Sequence, residues 1–375
     1  MNRASLREWL ALREVQGLDD GTRCRLVQAL GSPEAVLGAS VKALQEAGLS
    51  PSQAGMVRRK PDSERQQGIE RELKELDRVR PSVITILDAG YPSRLRTIPD
   101  PPLFFYLTGT LQSSDELALA IVGSRQATQS GRLLTERLSR ELASAGFTIV
   151  SGLARGVDAA AHRGALEAGG RTLAVQGCGI DRTYPSEHQA LRRQIEASGG
   201  VLSELPLGAY PHAYHFPRRN RLISGLSLGV LVTEAAARSG SLITARLAGE
   251  QGREVFAVPG PVRQEQSRGP HGLIKQGAKL VETIRDVIDE LLPQLDGSMR
   301  ERLERQQGPE APSEAVPRLE GQEALVYRLL SDQATQVDDL IVKSGLPAAT
   351  VNSLLLSLEL KGLIRRLPGS CSARV

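Results

Sequence analysis

The middle of the chain alternates short apolar runs with longer amphipathic stretches. One apolar run covers residues 117–122 and ends at a glycine, an amphipathic stretch covers 130–145, and a second apolar run follows at 147–150. Short apolar runs are typical of strands buried in a parallel sheet, and amphipathic stretches between them are typical of crossover helices. The alternation continues to about residue 292 and predicts a doubly wound α/β domain.

The same pattern locates the strands of the predicted sheet. Strands are predicted at 83–87, 103–107, 118–122, 148–150, 172–176, 201–204, 229–233, 254–258 and 279–281. The first two lie close to prolines, which a sheet tolerates at its edge, so they are predicted to extend the sheet there. A polar loop at 263–272 is predicted to lie over the crevice at the strand ends, before a closing helix at about 283–292.

The regions on either side of this domain, which is placed at 81–293, are predicted to be largely helical. Residues 1–80 give short helices that resemble a SAM-type bundle or half of a helix-hairpin-helix, followed at 59–80 by a highly charged helix or connector with a solvated face. Residues 294–318, rich in Gln, Glu, Pro and Arg, are predicted to be a flexible linker. Residues 319–375 show three helices and a basic hairpin, the order of a winged helix-turn-helix.

Both flanking domains are open to two interpretations, contact with protein or contact with DNA. The second helix of the winged-helix segment, at 348–360, carries almost no basic residue, which favours protein contact. The candidates for phosphate contacts in this segment are Lys361, Arg365, Arg366 and Arg374.

Composition and charge narrow the class of protein only slightly. With 40% hydrophobic residues, 24% charged residues and a net charge of +4, the chain could bind nucleic acid or an anionic small molecule. No apolar stretch is long enough to span a bilayer and the N-terminus lacks a signal-peptide core, so we expect a cytoplasmic protein. The three cysteines form no CxxC pair, so neither a disulfide framework nor a thiolate metal site is expected.

Two glycine-containing turns follow consecutive strands of the predicted sheet. In Gly123-Ser124-Arg125 the glycine allows close approach of a phosphate, the serine offers a hydroxyl and the arginine a planar charged fork. The second turn, at 151–158, contains Gly152 and Arg155. Because backbone N–H groups at such turns and at helix N-termini bind anions, the two turns predict a wide phosphate-binding crevice. The spacing does not give GxGxxG, so the dinucleotide fingerprint is absent.

A basic segment at 210–227 is the second candidate feature. It contains Phe216, Arg219, Asn220 and Arg221 in close succession. Arginines can follow the backbone of a single-stranded nucleic acid while an adjacent ring stacks on a base. The alternative is a solvated basic turn with the phenylalanine in the core, and spacing does not decide between them. Farther on, Ser239-Gly240-Ser241 is predicted to cap a helix and to present further N–H donors.

Other polar residues are weaker candidates for chemistry. Glu234, at a strand end, could act as a general base, which is the basis of an enzyme hypothesis. His162 lies in an alanine-rich helix and is interpreted as a hydrogen-bonded core histidine. His212 and His215 have no acidic or cysteine partner nearby in the sequence, so no metal site is expected there.

Taken in order, several uncommon motifs resemble the DNA-processing protein A family, also called DprA or Smf. They are GSRQAT at 123–128, SGLARGVDAAAHRGAL at 151–166, FPRRNRLISGLS at 216–227, TEAAARSGSLITA at 233–245 and AVPGP at 257–261. The resemblance covers roughly residues 83–292. It implies an extended Rossmann-like domain, with a helical module before it and a winged-helix module after it.

The resemblance also implies a function and a site. It implies a homodimer that binds incoming single-stranded DNA in natural transformation, protects it and loads the RecA recombinase on it, without catalytic turnover, cofactor or metal. The implied site residues are Gly123, Ser124 and Arg125, with Gly152, Gly240 and Ser241 around them, and Phe216, Arg219, Asn220 and Arg221. A lysine that some relatives carry in this region has no counterpart between Lys74 and Lys275, so an arginine is expected to replace it.

Two alternative functions are considered. A Rossmann-like nucleotide phosphoribohydrolase would need a PGGxGTxxE-type stretch, and residues 233–245 lack its doubled glycine and its carboxylate. A regulator that binds duplex DNA through the winged helix is weakened by the apolar second helix of that domain. The three functions predict nucleotide hydrolysis, sequence-specific duplex binding and sequence-tolerant single-strand binding, respectively.

Overall fold

The structure is a computed structural model of the 375-residue chain, and it describes residues 3–59, 62–295, 297–306, 319, 321–331, 334–367 and 369–374. The first part is helical, as predicted. Its helices are α1 (Arg3–Arg13), α2 (Asp20–Leu30), α3 (Pro33–Gly38), α4 (Val41–Glu46), α5 (Pro51–Arg58) and α6 (Ser63–Val79).

Short polar side chains determine where the N-terminal helices begin. Asp19 accepts a hydrogen bond from the Thr22 amide at 2.6 Å, and Ser50 forms a reciprocal capping box with Gln53. Such caps satisfy amides that have no partner inside the helix and contribute about 1 kcal/mol each. The short α2 and α5 therefore begin at defined residues.

The charged segment at 59–80, predicted to be a helix or connector with a solvated face, contains helix α6, and one face of that helix is buried. Ile69, Leu73 and Leu76 are buried at helical spacing, together with the carboxylate of Glu72. Only the opposite face of the helix is exposed. Despite its many charged residues, α6 is therefore an amphipathic helix whose apolar face packs on the rest of the protein.

The central domain is a nine-stranded sheet with the order β1-β2-β6-β5-β4-β3-β7-β8-β9. Its strands are β1 (Ser82–Thr85), β2 (Phe104–Gly109), β3 (Ala118–Val122), β4 (Thr148–Ser151), β5 (Thr172–Val175), β6 (Gly200–Ser203), β7 (Gly229–Val232), β8 (Glu254–Ala257) and β9 (Lys279–Leu280). β2 pairs antiparallel with β6, and β1 pairs antiparallel with β2, whereas all the other pairs in this sheet are parallel. The predicted α/β fold and the edge position of the first two strands are confirmed.

Helices cover both faces of this sheet. They are α7 (Ser93–Arg96), α8 (Gln129–Ser144), α9 (Val157–Glu167), α10 (Gln189–Ser198), α11 (His215–Gly225), α12 (Ser241–Glu250), α13 (Arg268–Lys275) and α14 (Ile284–Leu291). The central strand β3 divides its side chains between two hydrophobic clusters, with Ala120 and Val122 in one and Leu119 and Ile121 in the other. This period of two, with both faces buried, explains why the strand is apolar throughout.

Two predicted irregular segments are helical instead. The polar loop expected at 263–272 contains most of α13, whose Gly269 amide donates to the Ala235 carbonyl at 2.8 Å. Within the linker expected at 294–318, Gly297–Gln306 forms helix α15, and its Leu303 is buried in the hydrophobic cluster on one face of the sheet. The remainder of that linker, from residue 307 onwards, lies outside the described residues.

The last part of the chain forms a separate small core. It comprises α16 (Gly321–Leu329), β10 (Thr335–Gln336), α17 (Val337–Ser344), α18 (Ala348–Leu360), β11 (Ile364–Leu367) and β12 (Cys371–Arg374). Three helices and a three-stranded sheet are the predicted winged-helix arrangement. In the described part of the chain no single helix is long and apolar enough to cross a membrane. The bent pair Val337–Ser344 and Ala348–Glu359, taken together, has the length and composition of a membrane span.

Candidate nucleic-acid interface

The candidate site lies where the parallel strands end. β4 lies on one side of β3 and β7 on the other, so the chain reverses its direction of progress across the sheet at β3. In open α/β sheets, ligands bind outside the carboxyl ends of the strands at such a switch point. Gly123-Ser124-Arg125 follows β3, and Gly152 follows β4. The two glycine turns predicted from the sequence are therefore neighbours in space.

The first turn is fastened to the end of β7. The Ser124 amide donates to the Glu234 carbonyl at 2.6 Å, and the Ser124 hydroxyl accepts from the Gln126 amide at 3.1 Å. A Cβ at Gly123 would lie 2.6 Å from the Glu234 carbonyl oxygen. The glycine thus permits close packing of two turns within the protein, and the Ser124 amide is not free for a phosphate, contrary to expectation.

Helix α8, which follows this turn, has its N-terminus occupied by protein groups as well. Thr128 caps the helix by accepting from the Gly131 amide at 2.9 Å. The Glu234 carboxylate accepts from the Thr128 amide at 2.8 Å, from its hydroxyl at 2.6 Å and from Gln264 at 3.2 Å. These three hydrogen bonds fix the Glu234 carboxylate and order the turn. Because its oxygens are already engaged, they argue against Glu234 as a general base.

The second turn encloses a buried acid. The Val157 amide donates to the Ser124 carbonyl at 3.1 Å, which joins the two turns, and the Ala154 amide points to the Asp158 carboxylate at 3.4 Å. Burial raises the pKa of Asp158, and the positive charge of Arg219 opposes that rise. Because the carboxylate lies at the start of α9, this helix N-terminus already has an anion of its own.

Arg125 is the exposed cation of the crevice. Its guanidinium carbon lies 4.9 Å from the centroid of the Phe216 ring. Within the described residues it has no carboxylate within ion-pair distance, whereas Arg155 is paired with Glu187. An exposed arginine that stacks on a ring and lacks an acidic partner keeps its donors available for a phosphate.

Phe216 is half-buried and forms the wall of the crevice. Its ring packs on Gly177 at the end of β5, where an added Cβ would lie 2.9 Å from the ring. Tyr184 lies on another side, with ring centroids 5.6 Å apart at a tilt of 45°. The phenylalanine is therefore neither in the core nor fully solvated, and part of its surface is accessible to a ligand.

Arg219 lies beneath this ring and is buried. One of its terminal nitrogens donates to the Val175 carbonyl, and its guanidinium carbon lies 5.9 Å from the Phe216 centroid. Its Nε has no partner among the described residues. The pKa of Arg219 is lowered to about 10, chiefly by burial and also by the nearby positive charge of Arg125, while the negative charge of Asp158 opposes the fall. An anion bound between Arg125 and Arg219 would relieve this unfavourable burial of charge.

Arg221, which the sequence predicts to be part of a basic cluster, is surrounded by carboxylates instead. It is 4% exposed, and its guanidinium meets Glu204 at 2.6 Å, Asp100 at 2.8 Å and Asp20 at 3.4 Å. Arg218 pairs with Asp20 and Glu204 as well. These two arginines connect α11 to the N-terminal helices, so their charges are already compensated.

The remaining predicted residues lie farther around the rim. The side-chain amide of Asn220 donates to the Gly240 carbonyl at 3.4 Å. The predicted helix α12 is present, but Gly240 is its N-cap and no side chain caps it; the hydroxyl groups of Ser239 and Ser241 are 2.8 Å apart and contact each other instead. Two groups of predicted residues can thus be distinguished. Those that the structure brings together are Gly123, Arg125, Gly152, Phe216 and Arg219. Those whose side chains contact other protein groups are Arg155, Asn220, Arg221 and Ser241.

Sequence reasoning missed several residues that shape this site. Asp158, Gly177, Tyr184 and Glu204 border it. Of these four, only Asp158 lies in a predicted motif, the turn at 151–158. No local spacing in the sequence indicates that Glu204 contacts Arg221. These contacts depend on the order of strands in the sheet, which sequence patterns do not report.

The histidines and cysteines fit structural roles. His162 is buried with Nδ1 2.7 Å from the Thr172 hydroxyl, and burial lowers its pKa to about 3. Cys24, Cys178 and Cys371 are free thiols. No group of three or more metal-ligating side chains occurs in the part of the chain that the structure describes.

A cleft of about 790 Å³ lies between α8 and the winged-helix domain, and Glu234 is the residue that it shares with the turn after β3. Its lining includes Glu136, Arg137, Glu234, Arg365 and Arg374. Arg365 of the winged-helix domain approaches Glu136 of α8 at 3.5 Å across this cleft. The cleft includes neither Arg125 nor Phe216, so it is distinct from the crevice described above.

Comparison with known proteins agrees with this architecture. The chain is 38% identical over 367 residues to the protein Smf of Escherichia coli, covering 96% of this chain and 94% of that protein. It is 45% identical over 206 residues to the DNA processing protein DprA of Streptococcus pneumoniae, covering 55% and 73% of the two chains.

Solved structures show the same relationship. The X-ray structure of DNA processing protein A from Streptococcus pneumoniae matches with a TM-score of 0.65 at 34% identity, covering 77% of this chain and 98% of that one. A structure that describes the single-stranded DNA binding mode of DNA processing protein A from Helicobacter pylori matches with a TM-score of 0.52 at 32% identity, covering 57% and 98%.

Family models cover both the sheet domain and the C-terminal domain. The model of the DprA winged helix domain matches residues 309–370, in agreement with the predicted winged helix. The model described as DNA recombination-mediator protein A matches residues 82–292, the whole nine-stranded sheet with its helices. On these matches the resemblance noted in the sequence is confirmed, and the chain belongs to the DNA recombination-mediator protein A family.

Proposed function

We propose that this protein binds single-stranded DNA in the crevice at the ends of β3, β4 and β5, with Arg125 as its principal phosphate contact. The observation that carries the proposal is the position of Arg125, exposed, stacked on Phe216 and without an acidic partner among the described residues. The single-stranded DNA binding mode of the related DNA processing protein A from Helicobacter pylori supports the choice of ligand.

The crevice contributes charge through Arg125 and Arg219 and a ring through Phe216. Arginine beside an accessible aromatic ring suits a single strand, because the charge follows the backbone while the ring stacks on a base of any identity. Arg221 and Arg218 are compensated by carboxylates, so we assign them to the attachment of the N-terminal helices rather than to DNA.

In the cell, we propose that the protein acts in the cytoplasm as a homodimer that protects incoming DNA in transformation and loads the RecA recombinase on it. This part rests on the family to which the chain belongs. We further propose that it acts without catalytic turnover. The hydrogen bonds of Glu234 with Thr128 and Gln264 support this, since they engage both oxygens of the carboxylate.

The test is a fluorescence-anisotropy titration with labelled oligothymidylate and a matched duplex at two salt concentrations. The wild type is expected to prefer the single strand, with log K falling by about 0.7 per unit log salt for each phosphate neutralised. Arg125→Ala is expected to lose at least about tenfold in affinity, the value of one charge-assisted contact. Its matched control is Arg78→Ala, which removes an equal charge from an exposed pair with Glu75 on α6.

The outcomes separate the possible functions. Equal or stronger binding of the duplex would transfer the function to the winged helix. A salt-independent affinity, or an Arg125→Ala variant that binds like Arg78→Ala, would rule out the phosphate crevice.

A further inference from the structure

Aromatic residues are scarce in this chain, and their exposed members are concentrated in one place. Phe, Trp and Tyr make up 3% of the sequence. Among the described residues the exposed aromatic side chains are Tyr184 at 38%, Tyr210 at 61% and Tyr214 at 70% exposure. Tyr184, on the loop after β5, packs on Phe216, and Tyr210 and Tyr214 lie on the segment between β6 and α11, a few residues before Phe216 in the chain. We call these three residues the tyrosine rim.

Cations and other rings alternate along the rim. Tyr184 packs on Phe216, and the guanidinium carbon of Arg182 lies 3.9 Å from the centroid of the Tyr210 ring. Tyr214 is parallel to the His212 ring within 4°, at a centroid distance of 5.5 Å, and meets the His215 ring at its edge. Because His215 precedes Phe216 in α11, the rim is continuous with the wall of the crevice.

The loops that carry the rim are held in place by hydrogen bonds. The Gly179 amide donates to the Ala209 carbonyl, and Arg182 Nε donates to the Gly208 carbonyl, both at 3.0 Å. His215 Nδ1 lies 3.0 Å from the Tyr210 carbonyl. Rings that are exposed yet fixed lose little conformational freedom when a flat ligand stacks on them.

We propose that the tyrosine rim stacks the bases of the same single strand whose phosphates Arg125 binds. The inference rests on the proposed function and extends it from backbone contact to base contact. Exposed rings interleaved with arginines are the surface that single-stranded nucleic acids use, and each stacked base is worth about 1 to 3 kcal/mol by alanine substitution. Continuity with the crevice favours a nucleic acid over a protein as the occupant, since one strand can reach both sets of residues.

The experiment compares two oligonucleotides of equal length, oligothymidylate and an abasic strand with the same phosphates. The full-length wild type is expected to bind oligothymidylate more tightly than the abasic strand. Tyr210→Ala and Tyr214→Ala are each expected to weaken oligothymidylate binding by about fivefold, the lower end of the stacking range, and to leave abasic binding unchanged. Tyr214→Phe keeps the ring and is expected to restore the wild-type preference, and the exposed, remote Val41→Ala serves as a control.

Each outcome bears on the rim in a different way. If the alanine variants weaken both strands equally, the tyrosines only support the fold of the loops and the inference is wrong. If they bind both strands like the wild type, the rim has another occupant, such as a protein, and the inference is again wrong while the crevice stands. If Arg125→Ala and the wild type alike bind neither strand, the proposed function fails together with this inference.

Discussion

At the scale of single residues, Gly152 controls the position of Arg219. A Cβ at this position would overlap the Arg219 guanidinium, so the glycine is needed for a close approach inside the protein. We expect Gly152→Ala to displace Arg219, to lower the free energy of unfolding by about 1 to 3 kcal/mol and to weaken single-strand binding by about tenfold. The measurements are urea unfolding and anisotropy. Gly249→Ala, in α12 with open space around it, is the control and is expected to retain wild-type binding.

His162 provides a residue-scale prediction about pH. Burial lowers its pKa from 6.5 to about 3, so the folded protein binds the proton more weakly than the unfolded chain does. The stabilisation is complete above pH 6.5 and is lost as the pH falls towards 3, by about 1.4 kcal/mol per pH unit within that window. Urea unfolding between pH 7 and 4.5 is expected to show a steeper loss for the wild type than for His162→Gln. The exposed His212→Gln should keep the wild-type slope, and an equal slope for His162→Gln would contradict the assignment.

At the scale of elements, α6 is joined to the sheet through one buried carboxylate. Glu72 meets Arg13 of α1 at 2.5 Å, and accepts from the Tyr106 hydroxyl at 2.7 Å and the Leu207 amide at 3.2 Å. Burial alone would lower the pKa of Arg13, but the negative charge of Glu72 raises it above its ordinary value. Glu72 thus connects α1, α6, β2 and the loop after β6.

Removal of this carboxylate leaves the partly buried Arg13 with Glu14, at 3.1 Å, as its one remaining acidic partner among the described residues, and leaves the Tyr106 hydroxyl without its acceptor. We expect Glu72→Ala to lower the free energy of unfolding by about 3 to 5 kcal/mol, measured by chemical denaturation. Glu75→Ala, on the exposed face of the same helix, breaks only its surface pair with Arg78 and is expected to change stability by less than about 1 kcal/mol. Similar losses for the two variants would mean that α6 contributes little to the fold.

The elements themselves follow closely from the sequence, whereas their partners do not. Strand β3 was predicted at its observed bounds because its residues are apolar on both faces. The pairing of Thr128 with Glu234 joins residues 106 positions apart, and Arg221 meets Asp20 across 201 positions. Such contacts depend on strand order and domain docking. Local spacing therefore predicted a crevice of free backbone N–H groups, whereas in the folded turns most of these groups donate to acceptors of the protein itself.

At the scale of the whole molecule, the basic side chains of the winged-helix domain are largely engaged. Lys361 pairs with Glu323 at 2.7 Å, Arg366 with Glu359 at 3.4 Å, and Arg374 donates to the Tyr327 carbonyl at 2.8 Å. Arg365 meets Glu136 of the central domain. The phosphate contacts that the sequence suggested for these residues would require their present partners to be released.

The double variant Arg365→Ala/Arg366→Ala is therefore expected to bind single strands and duplex like the wild type. Its salt dependence should be unchanged, whereas each arginine that contacted a duplex phosphate would reduce the slope by about 0.9 when removed. Anisotropy titrations over a range of salt concentrations measure this slope. A flatter slope for duplex DNA would show that the winged helix contacts DNA after all.

The ion pairs of Arg221 have a consequence for how this family can change over time. The arginine sits in the motif that borders the crevice, yet one of its three carboxylates, Asp20, belongs to the N-terminal helices. Loss of the helical domain would remove Asp20 and leave Arg221 with Glu204 and Asp100 as its carboxylate partners. We expect positions 20 and 221 to covary among relatives, and lineages that discard the N-terminal domain to keep both Glu204 and Asp100 or to give up the arginine.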